Sequence, residues 1–250
     1  MGAGTRSTGD RRPRVGMLAP MQPELKPIVR RLGLTAEPEG DGSIYRGTLH
    51  RGTTGDGVEV VAMLTKIGMA NGADAARRML EHRVDHVMVV GIAGGVDMSV
   101  LQIGDVIVPE MVVGRAMERS FRPTFVGDIT PRGTLSCGDD LITDPEALAL
   151  MAAEGIVAVD METAAVAAVC EDANVAWSVF RGISDFAGEG LVDHELFAMT
   201  KPDGTADPAV VSAYLEQYPD RLEVLKRLAH DTEKATEAAA AAAIAACAAL

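Results

Sequence analysis

Three short stretches of the chain hold residue types that could do chemistry. Gly91-Ile92-Ala93-Gly94-Gly95 follows an apolar run. Glycines there let a backbone come close to a ligand at the carboxyl end of a strand. Val159-Asp160-Met161-Glu162 sets two carboxylates around a methionine at a strand-to-helix junction. Such a carboxylate either caps the helix, favoured by its dipole, or accepts hydrogen bonds from vicinal hydroxyls with Met161 as a soft apolar contact. Phe180-Arg181-Gly182-Ile183-Ser184-Asp185 ends another apolar run. Its Asp185 either caps the next turn or faces a ligand crevice, and Ser184 beside it is placed to orient a proton. Singly, each stretch reads equally well as packing or capping. Together, three polar or glycine-rich strand ends converging on one sheet edge point to a shared site. It is not a dinucleotide or P-loop site. GIAGG departs from GxGxxG, no acidic residue closes a following strand about 20 positions on, and no GK[ST] follows.

The elements that must position these stretches follow from apolar periodicity. Arg14–Pro20 reads as a strand, and Glu24–Leu34, with Leu25, Ile28, Val29 and Leu32 on one face, as a helix. Tyr45–Leu49 and Val58–Leu64 read as strands around a glycine-rich turn at Gly52–Gly57. A helix is expected at Asn71–His82. Asp85–Ile92 is continuously apolar, as in a parallel strand covered on both faces. Val106–Val108 and Val112–Val113 read as strands or one interrupted element, and Gly114–Thr134, with Pro123 and Pro131, as loop. Ile156–Val159 is a short strand, Glu162–Asp172 a buried helix and Ala176–Ile183 a buried strand. Helices follow at Ala209–Tyr218 and Arg221–Ala249. The alanine-rich end of the second has high helix propensity and little to bury, so it is expected to fray or to pack on a neighbour. The economical organisation is a mobile arm over 1–13 and a single α/β domain over 14–250.

Composition narrows the function classes. With 250 residues, 48% of them apolar and 24% charged, the chain is globular. A net charge of −13, without a basic tract past residue 14, argues against general nucleic-acid binding. Three cysteines without a CxxC pair argue against a zinc ribbon or a disulfide scaffold and fit a reducing cytoplasm. No metal or cofactor is expected. Basic residues in Met1–Pro13 lack an apolar stretch behind them, so no signal peptide is expected. The longest apolar run, Ala238–Leu250, is too short to span a bilayer, and no membrane partner is expected.

Four segments carry a family resemblance: Gly16–Glu24 (GMLAPMQPE), Val90–Asp105 (VGIAGGVDMSVLQIGD), Val159–Ala168 (VDMETAAVAA) and Arg181–Asp185 (RGISD). In order and separation they resemble the purine nucleoside phosphorylase/uridine phosphorylase superfamily, and within it the 5′-methylthioadenosine/S-adenosylhomocysteine nucleosidases. The resemblance implies a three-layer αβα sandwich around a mixed twisted sheet. It implies hydrolysis of the N-glycosidic bond of a purine nucleoside, a small-molecule partner, and a homodimer. It assigns roles residue by residue. Asp185, oriented by Ser184, would protonate purine N7, and Glu24 would hold and deprotonate the attacking water. Glu162, with Asp160 beside it, would bind the ribose hydroxyls, and Met161 would pack on the sugar. Ala93 and Gly94 would bring backbone to the ligand. Ile142, in the base-edge segment Gly138–Ile142, would read the purine edge. Met21 and Ile67 would contact the sugar and its 5′ substituent.

The chain also departs from that family. Gly114–Thr134 is short where relatives build a dimer interface. Leu141 stands where a stacking Phe is common. Phe186–Pro208 is longer, contains Lys201-Pro202-Asp203-Gly204, and holds Phe197, a pocket or core residue. Phosphorylases of the superfamily carry an arginine after the first strand, another before the glycine loop, and a hydroxyl inside it. Here Ala19–Glu24 has no arginine, Val89-Val90 precede the loop and Ile92 lies within it, which favours water over phosphate. The rivals are a phosphorylase of the same fold and a non-catalytic nucleoside-binding module. The five histidines, at 50, 82, 86, 194 and 230, fall outside the matched motifs and read as surface or structural.

Overall fold

The computed structural model describes residues 12–40, 42–50 and 57–250. Most of the proposed N-terminal arm and the turn at 51–56 lie outside them. Eleven strands form one sheet. In chain order, β1 (Arg14–Ala19) leads to α1 (Gln22–Leu32). Three strands follow: β2 (Thr35–Glu39), β3 (Gly42–His50) and β4 (Gly57–Leu64). Then come α2 (Met69–Glu81), β5 (His86–Gly95), β6 (Val106–Ile107), β7 (Met111–Gly114), β8 (Ser120–Phe121) and β9 (Thr134–Cys137). After α3 (Pro145–Ala153) come β10 (Ile156–Asp160), α4 (Thr163–Asp172) and β11 (Ala176–Phe186). Helices α5 (His194–Ala198), α6 (Pro208–Gln217) and α7 (Leu222–Cys247) complete the chain.

β5 is the spine. It pairs in parallel with β1 on one side and β11 on the other. Its last two residues pair antiparallel with β10, Gly94 opposite Val159 and Gly95 opposite Ala158. The sheet is therefore mixed, and β10 brings its acidic end back beside the glycine stretch.

Alternation along the spine sends side chains into two cores. Val87, Val89 and Ala93 pack with Ala75, Ala76 and Met79 of α2 and with Ala164, Val166 and Ala167 of α4. Met88 and Val90 pack on the other face with Leu25 and Ile28 of α1 and with Ala239, Ala240 and Ala243 of α7. These are the three layers of an αβα sandwich.

Several expectations are decided here. Of the two open for the alanine-rich end of α7, fraying or packing, it packs. Ala235, Ala239, Ala240 and Ala243 are fully buried against the sheet. Their small side chains let the helix axis come so close that a Cβ on Gly182 of β11 would run into the Ala235 carbonyl. The two valine-rich pieces near 106–113 are separate strands, β6 beside β11 and β7 beside β9. The expected loop at 114–134 contains the short strand β8 and is otherwise irregular. β2, β9, α3 and α5 were not anticipated. β2 (TAEPE) is an exposed edge strand without alternation, so it leaves no periodic signature. No helix among the described residues is long and apolar enough to cross a membrane.

Candidate active site

Every candidate residue expected from the sequence reaches one cavity of about 270 Å3. The β1–α1 turn contributes Met21, the first turn of α1 contributes Glu24, and Ile67 follows β4. The spine contributes Ala93 and Gly94, and the segment after β9 contributes Leu141 and Ile142. Asp160, Met161 and Glu162 come from the β10–α4 junction, and Ser184 and Asp185 from the end of β11. Phe197, on α5, also lines it.

Glu24 is the third residue of α1, and its Oε2 accepts the Met21 N–H at 2.6 Å, half of a capping box. Its Oε1 accepts the Ile92 N–H at 2.7 Å. Gly91 makes this possible, because a Cβ there would occupy the space of the Glu24 carboxylate and of Arg181 Nη1. The glycine stretch thus does two jobs. Gly91 admits a carboxylate, and Ala93 and Gly94 supply backbone to the cavity wall.

Glu162 does not cap the helix it precedes. Its Oε1 accepts the Gly68 N–H at 2.9 Å, at the start of α2. Asp139 takes the neighbouring Met69 N–H at 2.7 Å, so two acids sit at the positive end of that helix. Asp160, also in the cavity wall, is engaged at both oxygens. One of its oxygens faces the Thr163 N–H, and the other accepts from the Thr163 hydroxyl and from Arg181 Nε. Its acceptors are taken up by α4 and the guanidinium.

Arg181 is the residue to which sequence reasoning assigned no role. It is the largest fully buried side chain among the described residues. Its Nη2 reaches Asp160 at 2.6 Å, Glu162 at 3.1 Å and the Thr163 hydroxyl at 3.1 Å. Its Nη1 lies 3.7 Å from Glu24 Oε1 and has no hydrogen-bond partner among the described residues. Three carboxylates from three elements therefore share one guanidinium, which they hold charged. The available signal was a lone arginine inside a buried apolar strand, where an unpaired charge is not tolerated.

Burial raises Glu24 to about 8, against the pull of Arg181 and of the Ile92 and Met21 N–H groups. Burial and the nearby Asp160 charge raise Glu162 as well, opposed mainly by Arg181. Asp185 is also raised by burial, with the charges of Glu189 and Asp231 adding to it. The Ser184 hydroxyl donates to Asp185 Oδ1 at 2.5 Å and acts the other way. A β-bulge at Ser184 breaks the β11–β5 register and sets Asp185 opposite Gly94. The cavity therefore pairs a carboxyl group inclined to hold a proton with a carboxylate basic enough to take one.

Arg115 is a second unanticipated wall residue. It donates to the Gly138 and Asp140 carbonyls at 2.7 and 2.8 Å and so holds the segment bearing Leu141 and Ile142. His82, His86, His194 and His230 stay out of the cavity wall. His86 is buried against the Ser178 hydroxyl, and burial lowers it to about 4.

The sequence profile of the Phosphorylase superfamily matches residues 14–131 and 127–248. The chain belongs to the phosphorylase superfamily. Among curated members, a 5′-methylthioadenosine/S-adenosylhomocysteine nucleosidase of Anoxybacillus flavithermus is 30% identical over 187 residues, 62% of this chain and 78% of that protein. Among solved members, a Helicobacter pylori nucleosidase variant with 5′-methylthioadenosine in its active site superimposes with a TM-score of 0.68. It is 20% identical, covering 92% of this chain and 96% of that one. Futalosine hydrolase of the same organism gives a TM-score of 0.66 at 20% identity, covering 92% and 94%. This superfamily member shares their nucleoside phosphorylase-like fold.

Proposed function

We propose that the protein hydrolyses the N-glycosidic bond of a purine nucleoside of the methylthioadenosine/adenosylhomocysteine class. The observation that carries this reading is the convergence of Glu24, Glu162 and Asp185 on one cavity wall, with Arg181 buried between the first two. The names of the curated relatives support the substrate class.

Asp185 enters protonated and donates to N7, so the bonding electrons leave with a neutral base. Positive charge then develops at the sugar, and the carboxylate of Glu162, accepting from the 2′- and 3′-hydroxyls, stabilises it. Glu24 takes a proton from water as its oxygen bonds to the anomeric carbon. Ser184 orients Asp185, and Met161 packs on the sugar. Arg181 is shared among three carboxylates, and Arg115 is held by the Gly138 and Asp140 carbonyls, which favours water over a phosphate dianion as nucleophile. The catalytic unit spans 14–250 and works as a homodimer. Met98 and Val100, more than half exposed beyond the spine, support a partner contact. The buried thiols Cys137 and Cys170 fit a cytoplasmic setting.

The test is release of adenine from methylthioadenosine, with and without phosphate, beside Asp185→Asn. Release without phosphate, reduced about 10²–10⁴-fold in the variant, is expected. Release only with phosphate would make the protein a phosphorylase.

A further inference from the structure

We propose that Glu189 and Asp231, clamped together by Arg227, are positioning residues for the acid of the reaction: they place negative charge behind Asp185 that favours its proton-holding form. This rests on the reading of Asp185 as the proton donor and extends it to the groups that make the donor work.

The strands around Asp185 offer it no charge. Its Oδ1 accepts from the Ser184 hydroxyl. A Cβ on Gly94 would lie 3.6 Å from its Oδ2 and 3.3 Å from Val159. Beside the carboxyl, β5 and β10 therefore present a glycine and a valine. Charge reaches it instead from α7 and from the single 3-10 turn Ala187–Glu189 that follows β11.

Register places Asp231. Gly182 of β11 packs against Ala235 of α7. From that contact β11 reaches the cavity by its carboxyl end and α7 by its amino end, where Leu228 and Thr232 join Asp185 in the wall. Asp231 is one turn before Ala235 on the same side of the helix, ~6 Å along its axis. Asp185 is three residues beyond Gly182, ~10 Å along the strand. The two acids stand at neighbouring levels of the sandwich.

Arg227, one turn before Asp231, holds both acids. Its Nη2 donates to the two Glu189 oxygens at 2.9 and 3.2 Å, and its Nε lies 3.4 Å from Asp231 Oδ2. The acid side chains are 22% and 15% exposed, whereas the arginine is half exposed. Two carboxylates against one guanidinium leave a negative charge uncompensated, and the cation is the better screened member. Burial does most to favour protonated Asp185. The Ser184 hydroxyl opposes it, and the charges of Glu189 and Asp231 add to it. The other charges of the region are engaged elsewhere. Asp193 pairs with Arg221, and Lys234 lies over Gly104. Glu24, Asp160 and Glu162 surround Arg181, and Arg115 holds the segment bearing Asp140.

The experiment titrates Asp185 directly in the unliganded protein, by carbon-13 NMR of labelled aspartate carboxyls. Its signal is the one missing from Asp185→Asn. Glu189→Gln and Asp231→Asn are each expected to lower the midpoint by about half to one pH unit, and the double variant by about the sum. Glu189→Asp, which keeps the charge, is expected to give less than about half the shift of Glu189→Gln. At pH 8, kcat/KM for methylthioadenosine is expected to fall about three- to tenfold in each single variant, because fewer molecules hold the proton. In an Asp185→Asn background the same substitutions are expected to cost less than about twofold. An unchanged midpoint in the double variant, equal shifts for Gln and Asp at position 189, or equal losses with and without Asp185 would overturn the proposal. If the unsubstituted chain does not cleave methylthioadenosine, the hydrolysis reading falls, and the titration still decides the role of the two acids.

Discussion

Neighbouring residues of β11 show two opposite ways of packing a helix layer onto a sheet. Arg181 points into a cluster of Glu24, Asp160 and Glu162. Gly182 points the other way, against the Ala235 backbone of α7. On the first face, large charged groups are buried, and their mutual attraction does little more than offset lost hydration. On the second, the smallest side chains let two backbones approach, and dispersion contacts do the holding. The first face serves reactivity, because burial is what moves the carboxyls of Glu24 and Glu162 upward. The second serves rigidity, because α7 also carries the Leu228–Thr232 wall of the cavity.

That contrast breaks most visibly at Arg181→Met. Three carboxylates would lose the one buried counter-charge they have among the described residues, costing about 3–5 kcal/mol. Melting at neutral pH should fall by roughly 10 °C or more, and activity should vanish. Part of the stability should return at pH 5, where the raised carboxyls are protonated. An unchanged melting temperature would show that the cluster is not electrostatically coupled. A smaller effect is expected on the other face. Gly182→Ala forces a Cβ against the Ala235 carbonyl, costing about 1–3 kcal/mol, with KM for the nucleoside within twofold. Loss of binding without loss of stability would contradict the division of labour. The third test sharpens the first face alone. In Asp185→Asn the remaining pH dependence belongs to Glu24 and Glu162, which both act as carboxylates. Because burial raises both, kcat/KM should climb at least tenfold per pH unit below neutrality and level off only near 8, where Glu24 ionises. A midpoint near 4.5, the ordinary carboxylate value, would place the base elsewhere.

Legibility differed between the same two faces. The spine β5 and helix α2 were readable because a buried strand is continuously apolar and an amphipathic helix is periodic. Glu24, Glu162 and Asp185 were readable because each stands at a strand end or first helical turn inside a family segment. For the alanine-rich half of α7 the sequence left fraying and packing open. Alanine burial is invisible to a periodicity argument, and only the glycine across from it explains why small residues are needed there. Arg181 was overlooked, and the hold of Asp160 on it was not foreseen, for a common reason, since each is the other's partner across 21 positions of sequence.

The sequence by itself determined the α/β class, the strand ends that bear the carboxyl groups, and the absence of arginine in the first turn and of a hydroxyl in the glycine loop. Those depend on local periodicity and on residue type, and the three-layer order came from the family resemblance. Only the tertiary structure decided that Glu24, Asp160 and Glu162 share Arg181 at the cavity wall. It also decided that the bulge at Ser184 sets Asp185 opposite Gly94, and that Gly204 lies against the Met21 side chain. These depend on distances between residues far apart in the chain, and on the desolvation that arises only once the layers close.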